Sequence, residues 1–137
     1  MTELVLTLLF WIGSNSSYEA PVNLPNLVFT NEHNMCAMYG INQKKRCEDM
    51  RLRGFFDKKL SIFMRDDFDL NNPHHQSQLL HELVHYVQFK NMKDTHYCLG
   101  SLELEAYDLQ DKWRSRHGLQ PVLADFNRLM LEASCSS

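Results

Sequence analysis

The segment His-Glu-Leu-Val-His at residues 81–85 is the most informative stretch of this chain, because two imidazoles four residues apart on a helix can bind one metal ion. At about 100° per residue, His81 and His85 lie about 40° apart on a helix surface, and Glu82 lies about 60° beyond His85. One helix face then carries two nitrogen ligands for a single metal ion and a carboxylate beside them. The segment therefore predicts a metal-binding helix.

The surrounding residues predict that this helix is long and buried along one side. The run Asn-Asn-Pro at 71–73 interrupts the preceding structure, Ser77 is the predicted N-cap, and the helical pattern continues to about Asn91. Apolar residues recur at helical spacing: Leu79, Leu80, Leu83, Val84 and Val87. In the alternative interpretation the two histidines are core residues bonded to backbone carbonyls, and the glutamate between them is solvated.

A hydrolytic zinc site needs a third protein ligand and a fourth position for water, and the next predicted helix offers two carboxylates. This helix covers residues 101–117 and carries an apolar stripe: Leu102, Ala106, Leu109 and Trp113. Glu103 and Glu105 lie about 200° apart on it, so only one of them can face the metal. Periodicity alone leaves that choice open.

The pair formed by residues 81–85 and the run Glu-Leu-Glu-Ala-Tyr at 103–107 resembles the gluzincin zinc metallopeptidases. In that family the third ligand is a glutamate on a helix after the His-Glu-x-x-His helix. In its CAAX prenyl endopeptidase branch the second motif reads Glu-x-x-Ala-Asp, and the first glutamate binds zinc. The resemblance covers roughly residues 60–117 and implies Glu103 as the third ligand, whereas Tyr107 stands where that branch has an aspartate.

The chain is also similar to small bacterial His-Glu-x-x-His proteins in which a glutamine follows the second histidine by three residues, as Gln88 does here. Gln88 either orients a ligand or faces solvent. Tyr107 either donates a hydrogen bond to a developing oxyanion or is a half-buried aromatic residue.

The resemblance implies a zinc metallopeptidase of the endopeptidase type, with Zn²⁺ as cofactor and a peptide or protein as substrate. His81, His85 and Glu103 are the implied ligands. Glu82 is the implied general base, which takes a proton from the metal-activated water and passes it to the leaving amine.

Two other functions remain open at this point. In the first, the protein is a non-catalytic, zinc-containing binding or toxin-like module. A fourth side chain then closes the coordination shell, and the nearby candidates are His74, His75 and His96. In the second, the protein is a metal hydrolase that acts on something other than peptides.

Length and patterning predict one α+β domain over residues 1–137, in which helices enclose a small antiparallel sheet and the metal lies between helices 77–91 and 101–117. The other predicted elements are a helix over Leu4–Ile12 ended by Gly13, a strand over Asn26–Thr30, a helix over Asn31–Tyr39, a solvated loop over Asn42–Arg46, a hairpin within Gly54–Arg65 that turns near residues 57–59, and a helix over Pro121–Ala133.

Charge and hydropathy exclude some partners. A net charge of -3 gives no electrostatic reason to expect nucleic acid. The apolar run Leu4–Ile12 is too short to span a membrane, and its helical spacing predicts a packed helix of the fold. The sequence leaves the oligomeric state open.

Four cysteines form an even set that allows three disulfide pairings: Cys36, Cys47, Cys98 and Cys135. A bridge to Cys98 would brace the helix that carries the third ligand. Such bridges favour an extracytoplasmic or secreted location. Free buried thiols in a reducing, cytoplasmic compartment are the alternative.

Overall fold

The computed structural model describes residues 1–50, 52–57, 61–92 and 98–135. These residues form six helices and one small three-stranded sheet, so the fold class is α+β, as expected from the sequence. The elements are α1 (Thr2–Asn15), β1 (Asn26–Thr30), α2 (Glu32–Met38), α3 (Lys44–Met50), β2 (Gly54–Asp57), β3 (Ser61–Arg65), α4 (Pro73–Asn91), α5 (Leu99–Arg116) and α6 (Asp125–Ser134).

The three described strands form a mixed sheet in the order β1-β3-β2. Strand β1 runs parallel to β3, with Asn26 opposite Ser61, and β2 runs antiparallel to β3, with Gly54 opposite Met64. The prediction of an antiparallel sheet is therefore wrong for β1. Because α2, α3 and β2 lie between β1 and β3 in the chain, that connection is a crossover that returns β3 in the direction of β1. Residues 58 and 59 of the predicted hairpin turn lie outside the described residues.

Helix α4 buries the apolar stripe that its sequence predicts, since all five residues of the stripe are essentially inaccessible to solvent. The predicted N-cap is wrong, because the helix begins one turn earlier, at Pro73. The Asn72 side chain accepts a hydrogen bond from the His74 backbone N–H, and proline in the first helical turn costs no hydrogen bond. Ser77 is instead a buried residue inside the helix, whose hydroxyl donates to the His74 carbonyl.

The main core lies between α1, the sheet, α4 and α5. Its buried members outside α4 are Val5, Leu8, Leu9, Ile12, Ile62, Met64, Ala106, Leu109 and Trp113. Helix α1 is part of the fold, as predicted, but it continues through Gly13 to Asn15. The side chains of Asn15 and Ser16 donate to the carbonyls of Trp11 and Ile12, and these bonds extend the last turn beyond the glycine.

Two further boundaries differ from the prediction. The predicted loop over 42–46 is wrong because α3 begins at Lys44, where strong helix formers precede a buried Cys47. The last helix begins at Asp125 and not at Pro121. The Asp111 carboxylate accepts the N–H groups of Val122 and Leu123 and so holds this segment in a non-helical conformation.

Two disulfides join the four cysteines: Cys36–Cys47 links α2 to α3, and Cys98–Cys135 links the start of α5 to the end of α6. The second bridge braces the helix that carries Glu103. This pairing is consistent with an extracytoplasmic location. In the part of the chain that the structure describes, no helix combines the length and apolar character needed to cross a membrane.

Candidate metal centre

The structure brings His81, His85 and Glu103 together at the contact between α4 and α5. The two Nε2 atoms lie 3.3 Å apart, and Glu103 Oε1 lies 3.4 Å from His81 Nε2 and in contact with His85 Nε2. All three donor atoms lie within 4.8 Å of one another. Among the described residues this is the one group of three or more side chains with the spacing of metal ligands.

Glu105, the other carboxylate left open by periodicity, faces Tyr18 and Gln88 and not the two histidines. Its Oε1 accepts hydrogen bonds from the Tyr18 hydroxyl at 2.5 Å and from Gln88 Nε2 at 2.8 Å. The structure therefore places Glu103, and not Glu105, beside the histidines.

Gln88 fixes the proton on His85. Its Nε2 donates to the Leu102 carbonyl at 3.0 Å and to the Glu105 carboxylate, and both of these groups only accept. The amide oxygen must therefore face His85 Nδ1, 2.8 Å away, and accept its proton. In its neutral form His85 then has its lone pair on Nε2, which points to the cluster, and in its protonated form the same nitrogen donates to Glu103. Gln88 is fully buried, so it does not face solvent, and the alternative that it orients a ligand fits the structure.

A second glutamine has the same relation to His81. Gln110 Oε1 lies 3.0 Å from His81 Nδ1, and its Nε2 donates to Ser77 Oγ at 3.4 Å. Sequence reasoning missed Gln110, although a signal was present: it follows Glu103 by seven residues and so shares its helix face to within about 20°. In the neutral form that binds a metal, both imidazoles thus direct the Nε2 lone pair to the same point.

Glu82 lies beside the cluster, and only 8% of its surface is exposed. Burial raises the pKa of its carboxyl and outweighs the opposite effect of His81 and His85. Its Oε2 has no hydrogen-bond partner among the described residues. Strand β2 contacts it closely, since a Cβ added to Gly54 would lie 3.0 Å from Glu82 Cγ. Glu82 therefore offers an unpaired oxygen at the wall of the site.

The charges of the cluster favour an ionised Glu103. Burial raises the pKa of this carboxyl, but hydrogen bonds from His81 and His85 outweigh burial and hold the pKa well below its usual range. Burial lowers the pKa of His85, whereas the Glu103 hydrogen bond and the Glu82 charge raise it, with a net increase. Two imidazole nitrogens and one carboxylate oxygen form a donor set that Zn²⁺ takes in hydrolytic sites, so the residues fit this ion.

The cluster opens into a cleft of about 760 Å³ between β2, α4 and α5. Its walls are largely apolar, and the residues responsible are Phe55, Phe56, Phe89, Leu99 and Leu102. Tyr107 is partly buried in the cleft, and its ring centroid lies 4.5 Å from that of His81. Tyr39 also lines the cleft and was missed, because nothing in its sequence position predicts this location. Burial and the nearby Glu82 and Glu103 raise the pKa of both phenols, so both retain a proton to donate.

Two of the other histidines proposed as ligands, His74 and His75, contact other groups. His74 Nδ1 lies 3.2 Å from an Arg114 nitrogen, and His75 Nδ1 accepts the Asp69 backbone N–H at 2.9 Å. Neither joins the three-residue group. His96 lies outside the described residues.

The chain belongs to the family described as domain of unknown function DUF6647, whose model matches residues 1–137. No curated protein and no solved structure matches the chain. The family description names neither a ligand nor a reaction, so the geometry of the cleft is what bears on function.

Proposed function

We propose that the protein is a zinc-dependent peptide hydrolase whose metal is held by His81, His85 and Glu103. The observation that supports this most is that two Nε2 atoms and one carboxylate oxygen come together, with all three atoms within 4.8 Å of one another. The buried carboxylate of Glu82 adjoins this point and has an oxygen without a described partner. A cleft large enough for a peptide side chain and its backbone opens over all four residues.

Glu82 has the position and the environment of a general base. When bound, a zinc ion polarises a carbonyl oxygen and lowers the pKa of water from 15.7 to about 7. Glu82 accepts a proton from the attacking water and later delivers it to the leaving nitrogen. Its raised pKa suits both steps, since a base with a pKa closer to the working pH also returns the proton more readily.

Strand β2 favours a peptide over other hydrolysable ligands. It is at the edge of the described sheet and lines the cleft through Gly54, Phe55 and Phe56. An extended peptide adds to such an edge through backbone hydrogen bonds, while pockets receive its alternate side chains. The Phe56 ring stacks over His85, with centroids 6.3 Å apart, so a chain bound along β2 passes the metal ligands.

The proposal is tested by zinc stoichiometry and by a peptide-library digest read by mass spectrometry. We expect one zinc per chain in the wild type and in Glu82→Gln, and loss of zinc in His81→Ala and Glu103→Ala. Peptide hydrolysis should fall by about 100- to 10,000-fold in Glu82→Gln, because that variant lacks the base. Near-wild-type hydrolysis by Glu82→Gln would overturn the proposed mechanism.

A non-catalytic zinc module is the second candidate, and metal spectroscopy separates it from the first. Such a module needs four protein donors around the ion. The described residues bring three together, and His74 and His75 contact other groups. X-ray absorption of the zinc-loaded protein that gives four protein donors would favour the module, whereas three protein donors and a water would favour the hydrolase.

A further inference from the structure

Arg114 is a buried cation that lines the same cleft as the metal-ligand group. It lies on α5, one helical turn after Gln110, and only 6% of its surface is exposed. Three neutral groups accept its hydrogen bonds: the Gln120 carbonyl from Nε at 2.6 Å, Ser77 Oγ from Nη1 at 2.8 Å and His74 Nδ1 from Nη2 at 3.2 Å.

No carboxylate in the described part of the chain lies within 4.0 Å of the Arg114 guanidinium. The other arginine that lines the cleft, Arg53, differs in this respect because it forms an ion pair with Asp67. Buried charges are normally paired, since removing an ion from water is costly and neutral acceptors compensate only in part. The environment of Arg114 is therefore suited to an anion that comes from outside the described residues.

The guanidinium retains the donors that a carboxylate needs. An arginine has five N–H groups, and the three described acceptors take one from each nitrogen. One N–H is left on Nη1 and one on Nη2. A carboxylate accepts from one N–H on each of two guanidinium nitrogens in the bidentate geometry, and from a single N–H otherwise.

Shared contacts relate Arg114 to the metal ligands. Ser77 Oγ accepts from both Arg114 and Gln110, and Gln110 in turn contacts His81. Gln110 and Arg114 are four residues apart on α5, and their partners His81 and Ser77 are four residues apart on α4. Four residues of helix span about 6 Å, so the Arg114 contacts are offset from the His81 contacts by about 6 Å along the helices. Because extended peptide spans about 3.3–3.6 Å per residue, this offset corresponds to one or two residues.

We propose that Arg114 forms a subsite for a carboxylate, which belongs to a peptide bound in the cleft one or two residues from the bond that is hydrolysed. The carboxylate is either the free carboxyl terminus or an Asp or Glu side chain. The distance of the carboxylate from the hydrolysed bond rests on the proposed function. The binding of a carboxylate at Arg114 does not, because it requires only the cleft.

Binding is measured first, by calorimetric titration of metal-free protein, so that the carboxylate cannot bind zinc. The probes are three N-acetylated tripeptides. Two share one apolar sequence and end in a free carboxyl terminus or in a carboxamide, and the third is the carboxamide with its central residue replaced by glutamate. We expect one of the two carboxylate peptides to bind about 10- to 100-fold more tightly than the neutral one, as for a hydrogen bond to a charged group. The tighter of the two identifies the source of the carboxylate.

The matched variants are Arg114→Gln and Arg116→Gln. Both remove one positive charge from α5, but Arg116 is exposed and outside the cleft. The preference for a carboxylate should disappear in Arg114→Gln and persist in Arg116→Gln. Equal affinity for all three peptides in the wild type would overturn the subsite without reference to any variant, and so would a preference that survives in folded Arg114→Gln.

Hydrolysis by the zinc-loaded protein then separates this proposal from the proposed function. If the peptides are cleaved with equal kcat/KM whether or not they carry a carboxylate, the subsite is overturned and hydrolysis stands. If no peptide is cleaved while the carboxylate preference persists in binding, the proposed function is overturned and the subsite stands.

Discussion

Each histidine of the cluster donates its Nδ1 proton to a glutamine, and this determines that Nε2 is the nitrogen available to a metal. The two amide oxygens accept from the Nδ1 atoms of His81 and His85 at 3.0 and 2.8 Å. A neutral acceptor orients the ring and selects the tautomer without adding a negative charge to the site. The ligand geometry of this centre therefore depends on Gln88 and Gln110 as well as on the ligands themselves.

Replacing either glutamine by leucine should lower zinc affinity by about 10- to 100-fold, the range typical for groups that orient metal ligands. The reason is that the imidazole loses its orientation and its fixed tautomer. A competition titration with a chromophoric chelator measures the change, and the exposed Gln43→Leu serves as the control. Unchanged affinity in folded Gln88→Leu would contradict the role assigned to this residue.

Gly54 provides a test of how tightly Glu82 is placed. A Cβ at this position would lie 3.0 Å from Glu82 Cγ and 3.2 Å from Met64 Sδ, so the Gly54→Ala variant must displace one of them by a few tenths of an ångström. We expect the kcat for peptide hydrolysis to fall by about tenfold with zinc content unchanged, because small misplacements of a catalytic group are costly. Gly13→Ala, where the added Cβ meets only ordinary contacts, is the control. Full activity in Gly54→Ala would show that Glu82 tolerates the displacement.

Helix α6 has no buried residue among those described, so other contacts must hold it in place. None of its residues is buried, and Phe126, Leu129 and Met130 are exposed. Its attachments include the Cys98–Cys135 disulfide, an ion pair between Arg128 and Asp108, and close packing of Ser134 against Gly100. A helix without a buried face draws little stability from the hydrophobic effect, so its position depends on these contacts.

The double variant Cys98→Ser, Cys135→Ser should release α6 and leave the remaining core folded. Chain entropy predicts a loss of about 4 kcal/mol for a loop closed over 37 residues, compared with about 3 kcal/mol for the 11-residue separation of Cys36 and Cys47. Urea denaturation measures the loss, and amide hydrogen exchange locates it. Fast exchange throughout α4 as well as α6 would contradict the idea that α6 is an independent attachment.

Sequence patterns predict elements better than they predict how elements are combined. The apolar stripe of α4 determines which side of the helix is buried. Because the helical period is fixed, the stripe also places His81 and His85 at the edge of that side. The direction of β1 relative to β3 was not predictable in this way, since it depends on the crossover between them. Periodicity also left Glu103 and Glu105 open, because the choice depends on the rotation of α5 against α4. Arg114 reaches the cleft through that same packing, and Tyr39 reaches it through the contact of the end of α2 with Phe55 of β2.

At the scale of the whole molecule, the proposed ligands join α4 to α5, two helices that also form a large part of the core. A ligand that binds the folded state and not the unfolded state stabilises the fold by mass action. Metal binding and folding of this domain should therefore be coupled.

At zinc concentrations about 100-fold above the dissociation constant, we expect a stabilisation of about 2.7 kcal/mol, which raises Tm by about 10 °C for a domain of this size. Differential scanning calorimetry with zinc and with a chelator measures this shift. His81→Ala and Glu103→Ala should show no zinc-dependent shift. An equal shift in either variant would place the metal elsewhere on the protein.

The hydrogen bonds from His85 through Gln88 and Glu105 end at the Tyr18 hydroxyl, on the segment that follows α1. Coupling between two sites is reciprocal in free energy. If binding of zinc favours the ordered form of that segment by some factor, the ordered segment therefore raises the affinity for zinc by the same factor. If zinc is held as proposed and orders that segment, a molecule that displaces Tyr18 would lower the affinity for zinc, although it would touch neither the ion nor its ligands.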